Sequence, residues 1–178
     1  EIFIEIIKKK EILPKSTLDI GTGSGNLALA IAVNNLSNKI TAIDISKKAI
    51  RIAKKNFKKY NIDYINCLQG DFLTMKYKEK FDLIVSNPPY VSLDEYRKLD
   101  KTVKNFEPKK ALTDGSTGLT FYASLSKSVA KLLKPKGTML IEIGLEKNKK
   151  IIQKLFKNYS IKWHKDLQKN NRVIEIKR

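Results

Sequence analysis

Residues 16–33 constrain the fold more than any other stretch of the chain. Ser16-Thr17-Leu18-Asp19-Ile20 reads as a short strand. Gly21-Thr22-Gly23-Ser24-Gly25 follows at once, and Asn26-Leu27-Ala28-Leu29-Ala30-Ile31-Ala32-Val33 reads as an apolar helix. Strand, glycine loop and helix in immediate succession is a unit of open α/β sheets, in which helix N–H groups aim at a bound cofactor. The glycines permit φ > 0 and remove Cβ atoms from the contact surface. Gly23, Gly25 and Ala28 also satisfy the fingerprint G-x-G-x-x-A, so a nicotinamide dinucleotide is admissible at this level.

The strands that follow end in residues suited to a ligand. Lys39-Ile40-Thr41-Ala42-Ile43 reads as a second strand ending at Asp44, placed to accept hydrogen bonds from ribose hydroxyls. That fits a nicotinamide dinucleotide and S-adenosylmethionine alike. A third strand, Tyr64-Ile65-Asn66-Cys67-Leu68-Gln69, leads into Gly70-Asp71-Phe72, where an acid could read an adenine amino group and a ring could stack on the base. A fourth, Phe81-Asp82-Leu83-Ile84-Val85-Ser86, runs straight into Asn87-Pro88-Pro89-Tyr90.

That last tip is unusual backbone. Proline donates no N–H and pushes the residue before it into an extended conformation, so Asn87 and Pro88 are both held extended. The Asn87 side-chain oxygen and the Pro88 carbonyl are acceptors in a place poor in donors, and Tyr90 adds an aromatic face. Such a site suits an uncharged planar –NH2 group. The plain alternative is a proline-rich turn closing a strand. All four tips fall on the carboxyl edge of the strands, where open α/β sheets bind ligands. A nicotinamide enzyme has no particular use for the fourth, whereas methyl transfer to an amino or amide nitrogen has.

These segments resemble the HemK/PrmC family of S-adenosylmethionine-dependent methyltransferases. Asp19-Ile20-Gly21-Thr22-Gly23-Ser24-Gly25 and Asn87-Pro88-Pro89-Tyr90-Val91 match its two signature motifs. The resemblance continues in Phe106-Glu107-Pro108, Ala111-Leu112, Asp114-Gly115, Gly118-Leu119, Phe121-Tyr122, Glu142-Ile143-Gly144, Lys165-Asp166-Leu167 and Arg172-Val173. It implies a Rossmann-like fold of seven strands with the last antiparallel, S-adenosyl-L-methionine as cofactor and S-adenosyl-L-homocysteine as product. The implied acceptor is the glutamine side-chain amide of peptide chain release factors, in their Gly-Gly-Gln motif. The resemblance further implies that Asp19, Gly21, Thr22, Gly23, Gly25, Asp44, Ile45, Asp71, Phe72 and Asn87 bind the cofactor. Asn87, Pro88, Pro89 and Tyr90 would hold the substrate, with Asn87, Pro88 and Tyr90 catalytic.

The chain departs from the family in places. Ser116 and Thr117 replace a glycine and an acid, Lys147 stands near the place of a glutamine, and Lys169 stands where a glycine is expected before Arg172. The family also carries an N-terminal helical domain, and Glu1 matches the end of the segment that follows it. The chain therefore reads as a catalytic domain of a longer protein. The Asn-Pro-Pro-Tyr motif is shared with DNA adenine and RNA guanine methyltransferases, so a nucleic-acid amino group remains the alternative acceptor. A non-catalytic module that keeps the cofactor fold is a further one.

Composition agrees with one domain. The chain has 178 residues, of which 42% are hydrophobic. No apolar run approaches the roughly 20 residues that span a bilayer, so no membrane segment is expected and the cytoplasm is the expected location. A single cysteine, Cys67, excludes an internal disulfide. His164 reads as structural. The net charge of +18 comes from lysines scattered mostly on polar helix faces. They read as a solvated surface of a lysine-rich composition, or as attraction to an acidic release factor or to ribosomal RNA, with nucleic acid not favoured. A monomer is expected. Ser46 is a plausible N-cap for a helix over 47–59, with Ala49, Ile50, Ala53 and Phe57 on one face. Residues 92–116 read as an insertion over the active site. A helix over 118–133, a strand over 138–143, a helix over 147–157 and a closing hairpin of 161–165 with 172–176 complete the reading.

Overall fold

The computed structural model describes residues 1–106, 108–144 and 148–178. One sheet carries all seven strands: β1 (Ser16–Ile20), β2 (Lys39–Asp44), β3 (Asn66–Gln69), β4 (Phe81–Ser86), β5 (Leu133–Glu142), β6 (Ser160–Lys165) and β7 (Asn171–Lys177). Their order is β3-β2-β1-β4-β5-β7-β6. The first five are parallel, and β7 lies antiparallel between β5 and β6. The α/β class and the reversed last strand are therefore as expected.

Every residue of β1 is buried, which is why the central strands read as continuous runs instead of alternating ones. One face of the sheet packs on α1 (Ile2–Lys8), α2 (Asn26–Val33) and α3 (Lys47–Lys59) through Phe3, Ile7, Ile31, Ala53 and Phe57. The other packs on α7 (Thr120–Leu132) and α8 (Lys149–Leu155) through Tyr122, Leu125, Val129 and Ile152. Ser46 caps α3 as expected, its side chain accepting from Ala49 N–H at 3.2 Å. Most lysines of α3 are exposed, in line with a solvated face. Among the described residues no helix is long and apolar enough to cross a membrane.

Four local readings change. The helix over 2–8 was not anticipated, and it buries Phe3, Ile6 and Ile7. β3 begins at Asn66, because Tyr64 is exposed and reaches across to the Ala32 carbonyl at 3.4 Å. β5 begins at Leu133, which pairs with Phe81 before an irregularity; regular pairing resumes at Thr138 opposite Leu83. Pro135 lies inside that irregularity, where its missing N–H costs no ladder bond. Residues 92–116 form three short helices, α4 (Leu93–Lys98), α5 (Lys101–Phe106) and α6 (Lys109–Leu112), the first held by a capping box of Ser92 and Glu95. Glu107 and Lys147 lie outside the described residues.

The hairpin of β6 and β7 explains two residues singled out earlier. Lys169 adopts φ 66 in the tight turn, the conformation that the family glycine enters without steric cost. His164 Nε2 lies 2.8 Å from Glu175 Oε2, and Lys10 Nζ donates to Glu175 Oε1 at 3.2 Å and to Thr138 Oγ1 at 3.1 Å. His164 is thus structural, and Lys10 ties the segment after α1 to the antiparallel edge.

Burial pushes the Glu175 carboxyl up, but hydrogen bonds from His164 and the charge and hydrogen bond of Lys10 outweigh it and hold it below the usual glutamate range. The pair thus contributes stability above that range and loses it as pH falls through the lowered value. Glu175→Ala is expected to cost about 2–4 kcal/mol at neutral pH, since Lys10 is left part-buried without its carboxylate. Urea denaturation of both proteins checks this, and the difference should shrink as the solution is made acidic.

Candidate active site

The order of strands reverses between β1 and β4, so the loops leaving their ends open a crevice. Ile20 is registered opposite Ser86, and Ser86 Oγ donates to the Ile20 carbonyl at 2.8 Å. The glycine loop and the Asn-Pro-Pro-Tyr tip therefore leave adjacent strand ends side by side.

Asp19 is 1% exposed. Its Oδ2 accepts from Thr22 Oγ1 at 2.6 Å and from Ala28 N–H at 3.2 Å, joining strand, loop and helix. Its carboxylate is occupied by its own chain, so it positions the loop from beneath. Gly21 and Thr22 donate N–H groups to the Ile43 carbonyl at 2.9 and 3.0 Å, which binds the loop to the end of β2. Gly25 N–H closes the turn on the Thr22 carbonyl at 2.8 Å. A Cβ on Gly23 would meet no protein atom within 4 Å, so the space above the loop is open to a ligand.

Asp44 accepts from Gly23 N–H at 2.9 Å through Oδ2 and from Ser46 N–H at 2.8 Å through Oδ1. A carboxylate has about four lone-pair sites, so each oxygen keeps capacity for a hydroxyl. Ile45, beside it, is 70% exposed. Asp71 follows the neighbouring strand, and its Oδ1 accepts from Leu73 N–H at 2.9 Å. Phe72 departs from the expected stacking arrangement. It is 7% exposed and packs into the core, its ring 5.3 Å from that of Phe121. Phe121 is the half-buried ring of this pair, and its Cζ lies 3.9 Å from where a Gly21 Cβ would stand. The motif match had singled out Phe121 without a role.

Asn87 is exposed, Pro88 is buried, and Pro89 and Tyr90 are half-buried. Among the described residues the Asn87 side chain has no hydrogen-bond partner, which leaves its oxygen available. Tyr90 donates its hydroxyl proton to Glu142 Oε1 at 3.2 Å. Glu142, at the end of β5, was given no role by the sequence reading, because only folding brings positions 90 and 142 together. The two ends of the segment that follows are tied together beside Tyr90 by Val91 N–H on the Leu112 carbonyl at 3.0 Å and Leu93 N–H on the Ser116 carbonyl at 2.8 Å. Asp114 gathers the N–H groups of Ser116, Gly118 and Thr120 at 2.8, 2.9 and 3.0 Å. The departures at Ser116 and Thr117 are both at exposed positions beyond that carboxylate.

Burial raises the Asp19 carboxyl from 3.8 to about 6, against the hydrogen bonds of Thr22 and Ala28, and the charge of Asp44 adds to the rise. The folded state then holds this proton more tightly than the unfolded chain, so stability falls as pH rises through that interval and levels off above about 6. Asp19→Asn keeps an oxygen for Thr22 but has no carboxyl to ionise. Urea denaturation between about pH 4 and 6 is expected to show a decline in the parent that the variant lacks, on the order of 1–3 kcal/mol. Equal slopes would remove Asp19 as the source.

Comparison with known proteins agrees with this geometry. Residues 14–176 match the family model described as a methyltransferase domain. The release factor glutamine methyltransferase of Fusobacterium nucleatum is 41% identical over 185 aligned positions, covering 100% of this chain and 52% of that protein. The release factor glutamine methyltransferase of Bacillus subtilis is 38% identical, covering 88% of this chain and 56% of that protein. The chain thus spans about half the length of these relatives. Among solved structures, a methyltransferase from Pyrococcus furiosus superposes with a TM-score of 0.74 at 21% identity, over 99% of this chain and 81% of that one. That likeness establishes the fold, and the matched family model establishes that the chain belongs to the methyltransferase domain family.

Proposed function

We propose that the chain is the catalytic domain of an enzyme that methylates the glutamine side-chain amide in the Gly-Gly-Gln motif of peptide chain release factors. S-Adenosyl-L-methionine is the donor, supplying an electrophilic methyl group on a sulfonium. The observation that carries the reading is the register of Ile20 with Ser86, which sets a cofactor-type glycine loop beside an acceptor-rich Asn-Pro-Pro-Tyr tip. The names of the relatives support the acceptor, and their function in translation accords with the cytoplasm.

The donor groups fit the residues present. Asp44 keeps acceptor capacity for ribose hydroxyls, Asp71 for an adenine amino group, and the exposed Ile45 offers an apolar surface beside them. The open space above Gly23 would leave room for the amino-acid portion.

An amide nitrogen is a poor nucleophile because its lone pair is delocalised into the carbonyl. Asn87 Oδ1 and the Pro88 carbonyl accept its two hydrogens and favour a more pyramidal nitrogen with a localised lone pair. As the N–C bond forms and the S–C bond breaks, the nitrogen becomes positive and these acceptors hold it more strongly. That is stabilisation of the transition state over the ground state. The proton becomes acidic only as the new bond forms and then leaves to solvent, so no strong base is required. Tyr90 orients the planar group, and alignment alone can contribute on the order of 7–11 kcal/mol.

The test is transfer of labelled methyl to a purified release factor, to its Gln→Ala loop variant and to total RNA. Label on the wild-type factor alone is expected. Label on RNA alone would transfer the assignment to a nucleic-acid amino group. Asn87→Ala should lower the transfer rate by roughly 100- to 1,000-fold. The dissociation constant for S-adenosylhomocysteine should change far less than the rate, because Asn87 is one of several cofactor contacts, and a matching loss of affinity would contradict this division of roles.

A further inference from the structure

Tyr90 is held at three points by parts of the chain far from it in sequence. Its hydroxyl donates to Glu142 Oε1 at 3.2 Å. Its ring lies against Gly144, where a Cβ would stand 2.6 Å from Tyr90 Cδ2 and 3.2 Å from Cγ. Its backbone lies against Gly118, where a Cβ would stand 2.3 Å from the Tyr90 carbonyl oxygen, and Gly118 has φ +78 besides. No other residue could occupy position 118 without moving Tyr90 or straining the turn.

Glu142 is itself fixed. It pairs with Val173 across β5 and β7, and the buried Tyr122 donates its hydroxyl proton to the Glu142 carbonyl at 2.9 Å. Ile143 N–H binds the Arg172 carbonyl at 2.9 Å, and the Arg172 guanidinium is held by Asp166 at 3.2 and 3.3 Å. Burial pushes the Glu142 carboxyl up, while the Tyr90 hydroxyl and the charge of Arg172 oppose that rise. A short carboxylate on a rigid strand end thus meets the tip of the one aromatic ring in the acceptor motif.

We propose that Glu142 is the positioning residue that fixes where the Tyr90 ring lies, in a space cleared by Gly118 and Gly144, and so orients the acceptor amide toward the Asn87 and Pro88 oxygens. The inference rests on the methyl-transfer reading above. A phenol ring hinged only at Cβ can swing about the Cα–Cβ bond; the carboxylate at its far end removes that freedom before substrate arrives. A displacement of about 1 Å in a reacting group can cost 100-fold in rate. Glu142 serves here as a hydrogen-bond acceptor and takes no proton.

Glu142→Gln keeps an oxygen acceptor and Glu142→Ala does not. The Gln variant is expected to retain kcat within about threefold of the parent, and the Ala variant to lose roughly 10- to 100-fold. Affinity for S-adenosylhomocysteine should be unchanged in both. Tyr90→Phe should lose about as much as Glu142→Ala, and the double variant no more than either, because both remove one interaction. A Gln variant as slow as the Ala variant would make the carboxylate a proton acceptor and overturn the proposal. So would an Ala variant with parental kcat, or multiplying losses in the double variant. A second readout needs no substrate: the three-bond couplings of the Tyr90 β protons in NMR should report one fixed side-chain rotamer in the parent and Glu142→Gln, and averaged rotamers in Glu142→Ala. Absence of methyl transfer by the parent protein would sink the assigned reaction, whereas unchanged Tyr90 couplings in Glu142→Ala would sink the positioning role.

Discussion

The site depends on one buried carboxylate. Asp19 lies next to the end of a strand that is buried along its whole length, and it accepts from the Thr22 hydroxyl and the Ala28 N–H. An ionised group at such a place is costly unless hydrogen-bonded, and the two donors are the loop and the helix that the site requires. The same atoms that satisfy the charge therefore dictate the course of residues 20–28. Neighbouring loops are set from that base, since Gly21 and Thr22 bind the end of β2 and Gly23 binds Asp44.

The two halves of the site draw on different parts of the chain. On the proposed assignment, the cofactor side is built from the tips of β1, β2 and β3, all within the first 73 residues. The acceptor side needs β4 and then support from Gly118, Glu142 and Gly144, which arrive through α7 and the antiparallel pair at the end of the chain. The reversed strand β7 has a direct part in this: it fixes the end of β5 by pairing Glu142 with Val173, and so fixes the carboxylate beside Tyr90.

The legible features were those written in local chemistry. Continuous apolar runs marked buried parallel strands, Ser46 marked the start of α3, and consecutive strand ends carried Asp19, Asp44, Asp71 and Asn87. The Ser92 and Glu95 capping box was equally local, although the segment around it was read only as an insertion, without helices. Other features follow from tertiary contact and leave little trace along the chain. Phe72 looks like a ligand-facing ring until Phe121 packs against it. Glu142 and Tyr90 are 52 positions apart, and nothing near either one announces the other. Lys10 sits in a run of three lysines that reads as solvated, yet it ends against Glu175, 165 positions away.

The order of the strands has a consequence for behaviour in concentrated solution. Among the described residues β3 and β6 are the edge strands of the sheet, the places where backbone groups could template another chain. β3 is only four residues long, too short for a stable added ladder. β6 is longer, but Lys162 and Lys165 line it, and a second molecule of charge +18 would approach against strong repulsion. The lysines at the border of the sheet thus oppose edge-to-edge pairing of copies by charge repulsion.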